Sequence, residues 1–393
     1  MTMIRPGFLL RAFTLSLLAG GSAPALAQTA AAAGAPIKIK AEVIAKGLSH
    51  PWALAFIDAG RMLVTERSGD LRLVQAGGQI GPPIQGLPRI EVAGQGGLLD
   101  IIADSKFSRN RTIYFCYSEP SGIEGKSGAG NSTALASARL SDDGKKLEQF
   151  KVIFSQYPKV ASTAHFGCRI VENPDGTLFL TLGERFSRKQ DAQTLDNHLG
   201  KVVRIRKDGG APPDNPFVGT PAAGNKALPE IWSYGHRNMQ GATLGPDGRL
   251  WTHEHGPQGG DEINRPEAGK NYGWPVITYG ENYGGGKIGE GLTAKPGMEQ
   301  PVHYWTPSIA PSGMSFLRSS RYGEAWRNNL FIGSLKFHYL ARIELRDGKV
   351  VREEKLLQEV GERIRDVREG PDGLLYVLTD EDAGQLLRLV PSR

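Results

Sequence analysis

A histidine, an arginine-asparagine pair and a glycine-rich acidic segment are the residues of this chain best suited to chemistry. His165 lies in Ala164-His165-Phe166-Gly167-Cys168-Arg169, where a neutral imidazole can take a proton from a bound hydroxyl. A hydrogen-bonded structural histidine would give the same letters. Ser233-Tyr234-Gly235-His236-Arg237-Asn238-Met239-Gln240-Gly241 sets Arg237 beside Asn238 between glycines. A guanidinium next to an amide stabilises negative charge on a carbonyl oxygen; turn formation explains the glycines but not the pair. Gly256-Pro257-Gln258-Gly259-Gly260-Asp261-Glu262-Ile263-Asn264 combines an expected irregular backbone with adjacent carboxylates at Asp261 and Glu262. Free carbonyls with Asp and Glu oxygens are calcium ligands, though the pattern is no EF-hand, and a solvated acidic pair reads alike. Lys336, Arg363 and Arg365 add three cations. Strand alternation turns Arg363 and Arg365 to one side, so the three together suit a ligand with several carboxylates, while each alone reads as surface charge.

These residues need a frame, and the frame is legible as a repeat. A short apolar strand, a Pro-Asp-Gly or related turn and a second strand rich in Leu, Tyr and Val recur. The copies are Ala53–Phe56 into Arg61–Glu66, Ile170–Thr181, Ala242–Thr252 and Val367–Leu378. Pro fixes one φ, Asp bonds the turn backbone and Gly takes the positive φ, which makes a tight hairpin. Further strands follow, as in Gly69–Val74, Gly200–Ile205 and Gln385–Val390, and make four-stranded units. Two degenerate copies, Leu98–Ile102 into Thr112–Phe115 and Gly313–Leu317 into Asn329–Gly333, bring the number of units to six. Six units of roughly 60 residues predict an all-β, six-bladed β-propeller of four-stranded antiparallel blades over residues 37–393; an irregular pair of β-sandwiches explains the repeats less well. His165 and Arg237-Asn238 each precede the first strand of a unit. The longest irregular stretch, His255 to Pro301, places the site near it.

Composition narrows the setting. The 51 glycines and 25 prolines spread through 393 residues interrupt any helix-rich fold. Residues 1–27 read as a secretory signal, with Arg5 and Arg11, an apolar stretch from Phe8 to Ala19 and cleavage after Ala25-Leu26-Ala27. Residues 28–36 are alanine-rich and are expected to be a flexible lead-in. The mature chain is expected in the periplasm or outside the cell, beginning near Gln28, with no membrane span. Two of the six net positive charges belong to the signal, and the rest are scattered, which argues against nucleic acid. Cys116 and Cys168 read equally as one disulfide or two buried thiols. No cysteine or histidine spacing matches a zinc, haem or iron–sulfur site.

Together the motifs resemble the soluble pyrroloquinoline-quinone (PQQ)-dependent sugar dehydrogenases, more closely the aldose sugar dehydrogenase branch. The resemblance runs from about Gly47 to Leu389 and rests on His-Phe-Gly-x-Arg, Gly-His-Arg-Asn-x-Gln-Gly, Gly-Pro-x-x-x-Asp-Glu-Ile-Asn and Arg-x-Arg-Asp-Val. It implies a propeller with the quinone on its loop face, an aldose substrate oxidised at C1 to the lactone, an external electron acceptor and a monomer. On that resemblance His165 is the base, Arg237 and Asn238 polarise the cofactor, and Gln95 in Gly94-Gln95-Gly96-Gly97 contacts substrate or quinone. Lys336, Arg363 and Arg365 then hold the cofactor's carboxylates and oxygens. The carbonyls of Gly256 and Pro257 bind a calcium that polarises the quinone, and Glu262 with Asp261 and Tyr272 holds a structural calcium. Ala164 stands where the glucose-dehydrogenase branch has an aspartate, which implies broad aldose oxidation. A calcium-dependent propeller hydrolase of the lactonase type and a non-enzymatic ligand-binding propeller are the competing readings.

Overall fold

The computed structural model describes residues 37–122, 130–222 and 225–392, so the signal and lead-in expected over 1–36 lie outside the described residues. Six four-stranded antiparallel sheets make up nearly all of it. Their first strands are Pro51–Phe56, Leu98–Ala103, Gly167–Glu172, Met239–Leu244, Pro311–Phe316 and Ile364–Glu369. Each of these strands contacts the first strand of the next sheet, and the sixth returns to the first. This is the expected six-bladed propeller, and its apolar clusters lie between neighbouring blades.

The repeated turns form as their residues dictate. Asp175, Asp247 and Asp372 each accept the N–H two residues on, from Thr177, Arg249 and Leu374 at 2.8, 3.2 and 3.1 Å. The following glycines, Gly176, Gly248 and Gly373, take φ of +85°, +76° and +75°, conformations a side chain would oppose.

Ring closure is not a consecutive repeat. Lys38–Leu48 pairs antiparallel with Gly384–Ser392, from Lys38 opposite Ser392 to Leu48 opposite Gly384. The sixth blade is therefore completed by the first described strand, which ties the two ends of the domain together. Around the axis, buried Arg169 reaches Asp100 at 3.2 Å and Asp366 at 3.0 Å. Arg368 pairs with the same two acids at 2.7 and 3.0 Å. Arg169 Nε also donates to the Gln240 carbonyl at 2.7 Å, so inner strands from blades two, three, four and six are tied together.

Cys116 and Cys168 form a disulfide with a Cα–Cα distance of 5.9 Å, between the second strand of blade two and the first of blade three. Both side chains are buried. Replacing both cysteines by serine is expected to lower unfolding free energy by about 2–3 kcal/mol. Denaturant unfolding of the double variant checks this, and an unchanged midpoint would mean that the bridge contributes nothing.

Candidate functional site

In an antiparallel blade the start of the first strand and the end of the second lie at the same edge. The main cavity, ≈ 690 Å³, opens at that edge. Every blade supplies a wall residue from just before or at the start of its first strand: His50, Gln95, Gly167, Asn238, Ala310 and Arg363. Loops after second strands add Arg67, His255, Lys336 and Asp380. Asn238, Gln95, Lys336, Arg363 and Arg365 thus meet in one wall. His165 and Arg237 are not part of that wall; they sit behind it, adjacent in sequence to Phe166 and Asn238, which are.

His165 is 4% exposed and its φ is +53°. Its N–H donates to Gln95 Oε1 at 2.8 Å, and its Nδ1 lies 2.9 Å from Glu184 Oε2. A carboxylate only accepts, so Nδ1 carries the proton and the Nε2 lone pair is free to act as a base. Nε2 has no hydrogen-bond partner among the described residues. Burial, and secondarily the charges of Arg237 and Arg185, hold the imidazole below its ordinary pKa, against the opposing pull of Glu184. It is therefore neutral near pH 7. The chain must pass close beneath it: a Cβ on Gly183 would lie 2.1 Å from the His165 carbonyl oxygen.

The Arg237-Asn238 pair is clamped from below by Glu254, whose carboxylate accepts the Arg237 N–H and lies 3.1 Å from His236 Nδ1. Asn238 Oδ1 accepts from Gly167 N–H at 3.1 Å and Gln240 Nε2 at 3.2 Å, so its amide N–H groups are what it can offer a ligand. Arg237 Nη1 donates to the carbonyls of His255 and Gly256 at 3.0 and 2.9 Å, and its buried Nε has no partner. A cation bound at Gly256 would have to take that carbonyl from the guanidinium.

The expected irregular backbone ends at Gly260, because Asp261–Asn264 is the third strand of blade four. Adjacent strand residues face opposite ways, so the two carboxylates do not share a site. Asp261 accepts the N–H groups of Gly256, Ile309 and Ala310 at 2.8, 2.7 and 2.8 Å and the Ser308 hydroxyl. Its oxygens are fully used in fastening two loops. Glu262 lies near Glu254 across Asn264, whose Nδ2 is 3.3 and 3.2 Å from the two. Burial and Glu254 push the Glu262 carboxyl up to about 8. Asn264 Oδ1 is buried without a partner. The Tyr272 hydroxyl donates to the Arg265 carbonyl and accepts from Glu267 N–H, which leaves its carbonyl as the oxygen it can offer a metal. Among the described residues no three His, Cys, Asp or Glu side chains converge as a cage.

The cation group is real but partly compensated. Arg365 lies in the first strand of blade six, and Arg363 stands just before that strand. Arg365 Nε donates to Asp380 at 3.1 Å, and Arg363 Nη2 is 3.5 Å from the same oxygen. His50 Nδ1 lies 3.0 Å from the other Asp380 oxygen. Desolvation opposes ionisation of Asp380, but these partners, Arg365 foremost, outweigh it and hold the carboxyl well below its usual range.

The sequence matches the Glucose / Sorbosone dehydrogenase family over residues 48–388. The chain belongs to that family. It is a sugar dehydrogenase. An aldose sugar dehydrogenase of Escherichia coli is 46% identical over 371 residues, covering 94% of this chain and 97% of that protein. The crystal structure of the soluble aldose sugar dehydrogenase from E. coli, in its apo form, has a TM-score of 0.84 at 44% identity, covering 90% of this chain and all of that one. Quinoprotein glucose dehydrogenase B of Acinetobacter calcoaceticus is 26% identical, covering 86% of this chain and 85% of that protein.

For this dehydrogenase, sequence reading missed the acids that hold the site. Glu66, Glu184, Glu254 and Asp380 all stand at or just past the end of a second strand. Three of them hold the approach to their own blade's first strand: Glu66 accepts the Ser49 N–H at 2.7 Å, Glu184 holds His165, and Glu254 holds His236 and Arg237. Asp380 holds Arg363 and Arg365 of its own blade and also reaches the next blade through His50. Aligning the repeats would have shown this recurring acid.

Proposed function

We propose that the protein oxidises aldoses at C1 to the lactone, with PQQ as hydride acceptor, calcium as its electrophilic partner and an external acceptor for the electrons. The observation that carries this is a neutral His165, oriented by Glu184, beside a cavity lined with cations. Lys336, Arg363, Arg365 and Arg67 suit an anionic ligand with several carboxylates, which fits the quinone. When bound, the quinone supplies a two-electron acceptor for the hydride on the sugar's C1. His165 Nε2 takes the C1 hydroxyl proton, and Glu184 steadies the imidazolium that results. Arg237 and Asn238 offer N–H donors to an oxygen gaining negative charge.

Calcium fits best at Glu262. Two neighbouring carboxyl groups, Glu254 buried and Glu262 half-buried, and an orphaned Asn264 oxygen form a local excess of acceptors that a hard cation would satisfy. Asp261 is assigned to loop fastening instead, and Tyr272 to its carbonyl. The carbonyls of Gly256 and Pro257 hold the second ion if Arg237 turns from Gly256 towards the ligand. A lactonase would need unpaired carboxylates along the axis, whereas Asp100 and Asp366 are held by Arg169 and Arg368. No helix among the described residues is long and apolar enough to cross a membrane; export with processing near Ala27-Gln28 and a monomeric state belong to the same proposal.

Reconstitution tests it: apo-protein, quinone and calcium are mixed with an aldose, and reduction of an artificial acceptor is followed. Aldose-dependent turnover that needs quinone is the expected result, and no turnover with any aldose would sink the assignment. Glu184→Gln supplies a finer test. Gln retains an acceptor for Nδ1–H but loses the charge that raises the His165 pKa. The acid limb of kcat/KM, expected below pH 6.5 in the parent, moves to lower pH in the variant, and the plateau falls about tenfold. A limb that moves upward contradicts the dyad.

A further inference from the structure

Two aromatic residues outside the machinery above are held open to water at its edge. Arg185 and Phe186 are consecutive non-glycine residues with φ of +63° and +65°. An aromatic residue in that region is strained and persists only where its surroundings over-determine it. Here they do. Arg185 is fully buried and donates to the carbonyls of Ala164 and Asn131, both at 3.0 Å, and to Asn131 Oδ1 at 2.6 Å. Its guanidinium also lies 3.8 Å from the Phe166 ring centre. Glu184, while holding His165, accepts the Phe186 N–H.

The ring fixed by all this is 54% exposed and stands edge-to-face with His165, centroids 5.3 Å apart. Tyr283, 63% exposed, stacks on it at 6.5 Å and 28°, its hydroxyl 3.4 Å from Arg237 Nη2. Tyr283 rides on a turn closed by Asn282 N–H to the Gly286 carbonyl at 2.9 Å. The three glycines after it have nothing within 4 Å of where a Cβ would be, which leaves clearance beside the ring. Strain that keeps apolar rings in water gains no burial in the free protein; it makes sense if a ligand covers them.

We propose that Phe186 and Tyr283 form an aromatic shelf for the second pyranose ring of a reducing disaccharide or longer oligosaccharide, a reading that rests on His165 receiving the terminal ring's C1 hydroxyl. The negative faces of aromatic rings attract the polarised C–H groups of a sugar face. The shelf takes the second ring because His165 is buried whereas both shelf residues are mostly exposed and line no part of the main cavity. A single ring at His165 lies inward of them.

The test compares glucose, maltose and maltotriose with the reconstituted parent, Phe186→Ala, Tyr283→Ala and Tyr283→Phe. Both alanine variants should raise the ratio of KM for maltose, and for maltotriose, to KM for glucose on the order of tenfold, whatever change in kcat is common to the three sugars. Tyr283→Phe should keep the parental selectivity. Equal effects on glucose and maltose, or none, overturn the shelf. Calorimetric titration with maltotriose reads the shelf without turnover: affinity about tenfold weaker in both alanine variants supports it, and unchanged affinity overturns it. A parent that turns over no aldose defeats the His165 assignment separately, while the titration still decides the shelf.

Discussion

Alanine at His165 is expected to lower kcat by a factor on the order of 10² to 10⁴, the range a positioned general base contributes, while quinone affinity stays within a few-fold of the parent. The two quantities separate because different elements supply them. The imidazole lies behind the cavity wall with Glu184, whereas Lys336, Arg363 and Arg365 come from blades five and six. The loop should survive the change, since Gln95 holds the His165 backbone N–H rather than its ring. Glu184 loses its imidazole partner and stays buried with one hydrogen bond fewer, which costs stability but not cofactor binding. Turnover with an artificial acceptor and spectroscopic titration of the quinone measure the two effects. Turnover equal to the parent's would remove His165 from its role; lost quinone binding would make it part of the cofactor site.

The propeller was readable because each blade's first hairpin carries its instructions locally. Asp175, Asp247 and Asp372 bond the turn, and the glycine after each takes the positive φ. Closure was not readable, since Lys38–Leu48 finds its partner at the opposite end of the domain and no short-range pattern records that pairing. The site shows the same division. His165, Arg237 and Asn238 stood out by residue type and neighbours, but Glu184 and Asp380 act through space, and each alone looks like an ordinary strand-end acid. The backbone at Asp261 and Glu262 was not readable for a physical reason: the glycines ahead of them suggested a loop, whereas a four-residue strand turns the two side chains apart. The cysteine pair was open in sequence because spacing carries no distance, and contact between blades two and three decides it.

Arg365→Ala is expected to weaken quinone binding on the order of a hundredfold or more, beyond what loss of one surface cation would do. Arg365 is buried, and burial lowers its pKa while Asp380 opposes that shift. Removing the guanidinium leaves Asp380 facing the cavity with only His50 and the more distant Arg363 as partners. An anionic ligand then meets an under-compensated carboxylate as well as a missing donor. Arg365→Ala with Asp380→Asn should regain about tenfold of the lost affinity by removing that charge, although the double variant has lost two native side chains. Lys336→Met should cost less than Arg365→Ala, because Lys336 Nζ, 5.2 Å from the Phe337 ring centre, has no acidic partner among the described residues and its removal orphans no acid. Titrating quinone into the three variants separates the cases. If Asp380→Asn gives no recovery, the loss belongs to the guanidinium's own bonds with the ligand, and the acid beside it serves only to place Arg365.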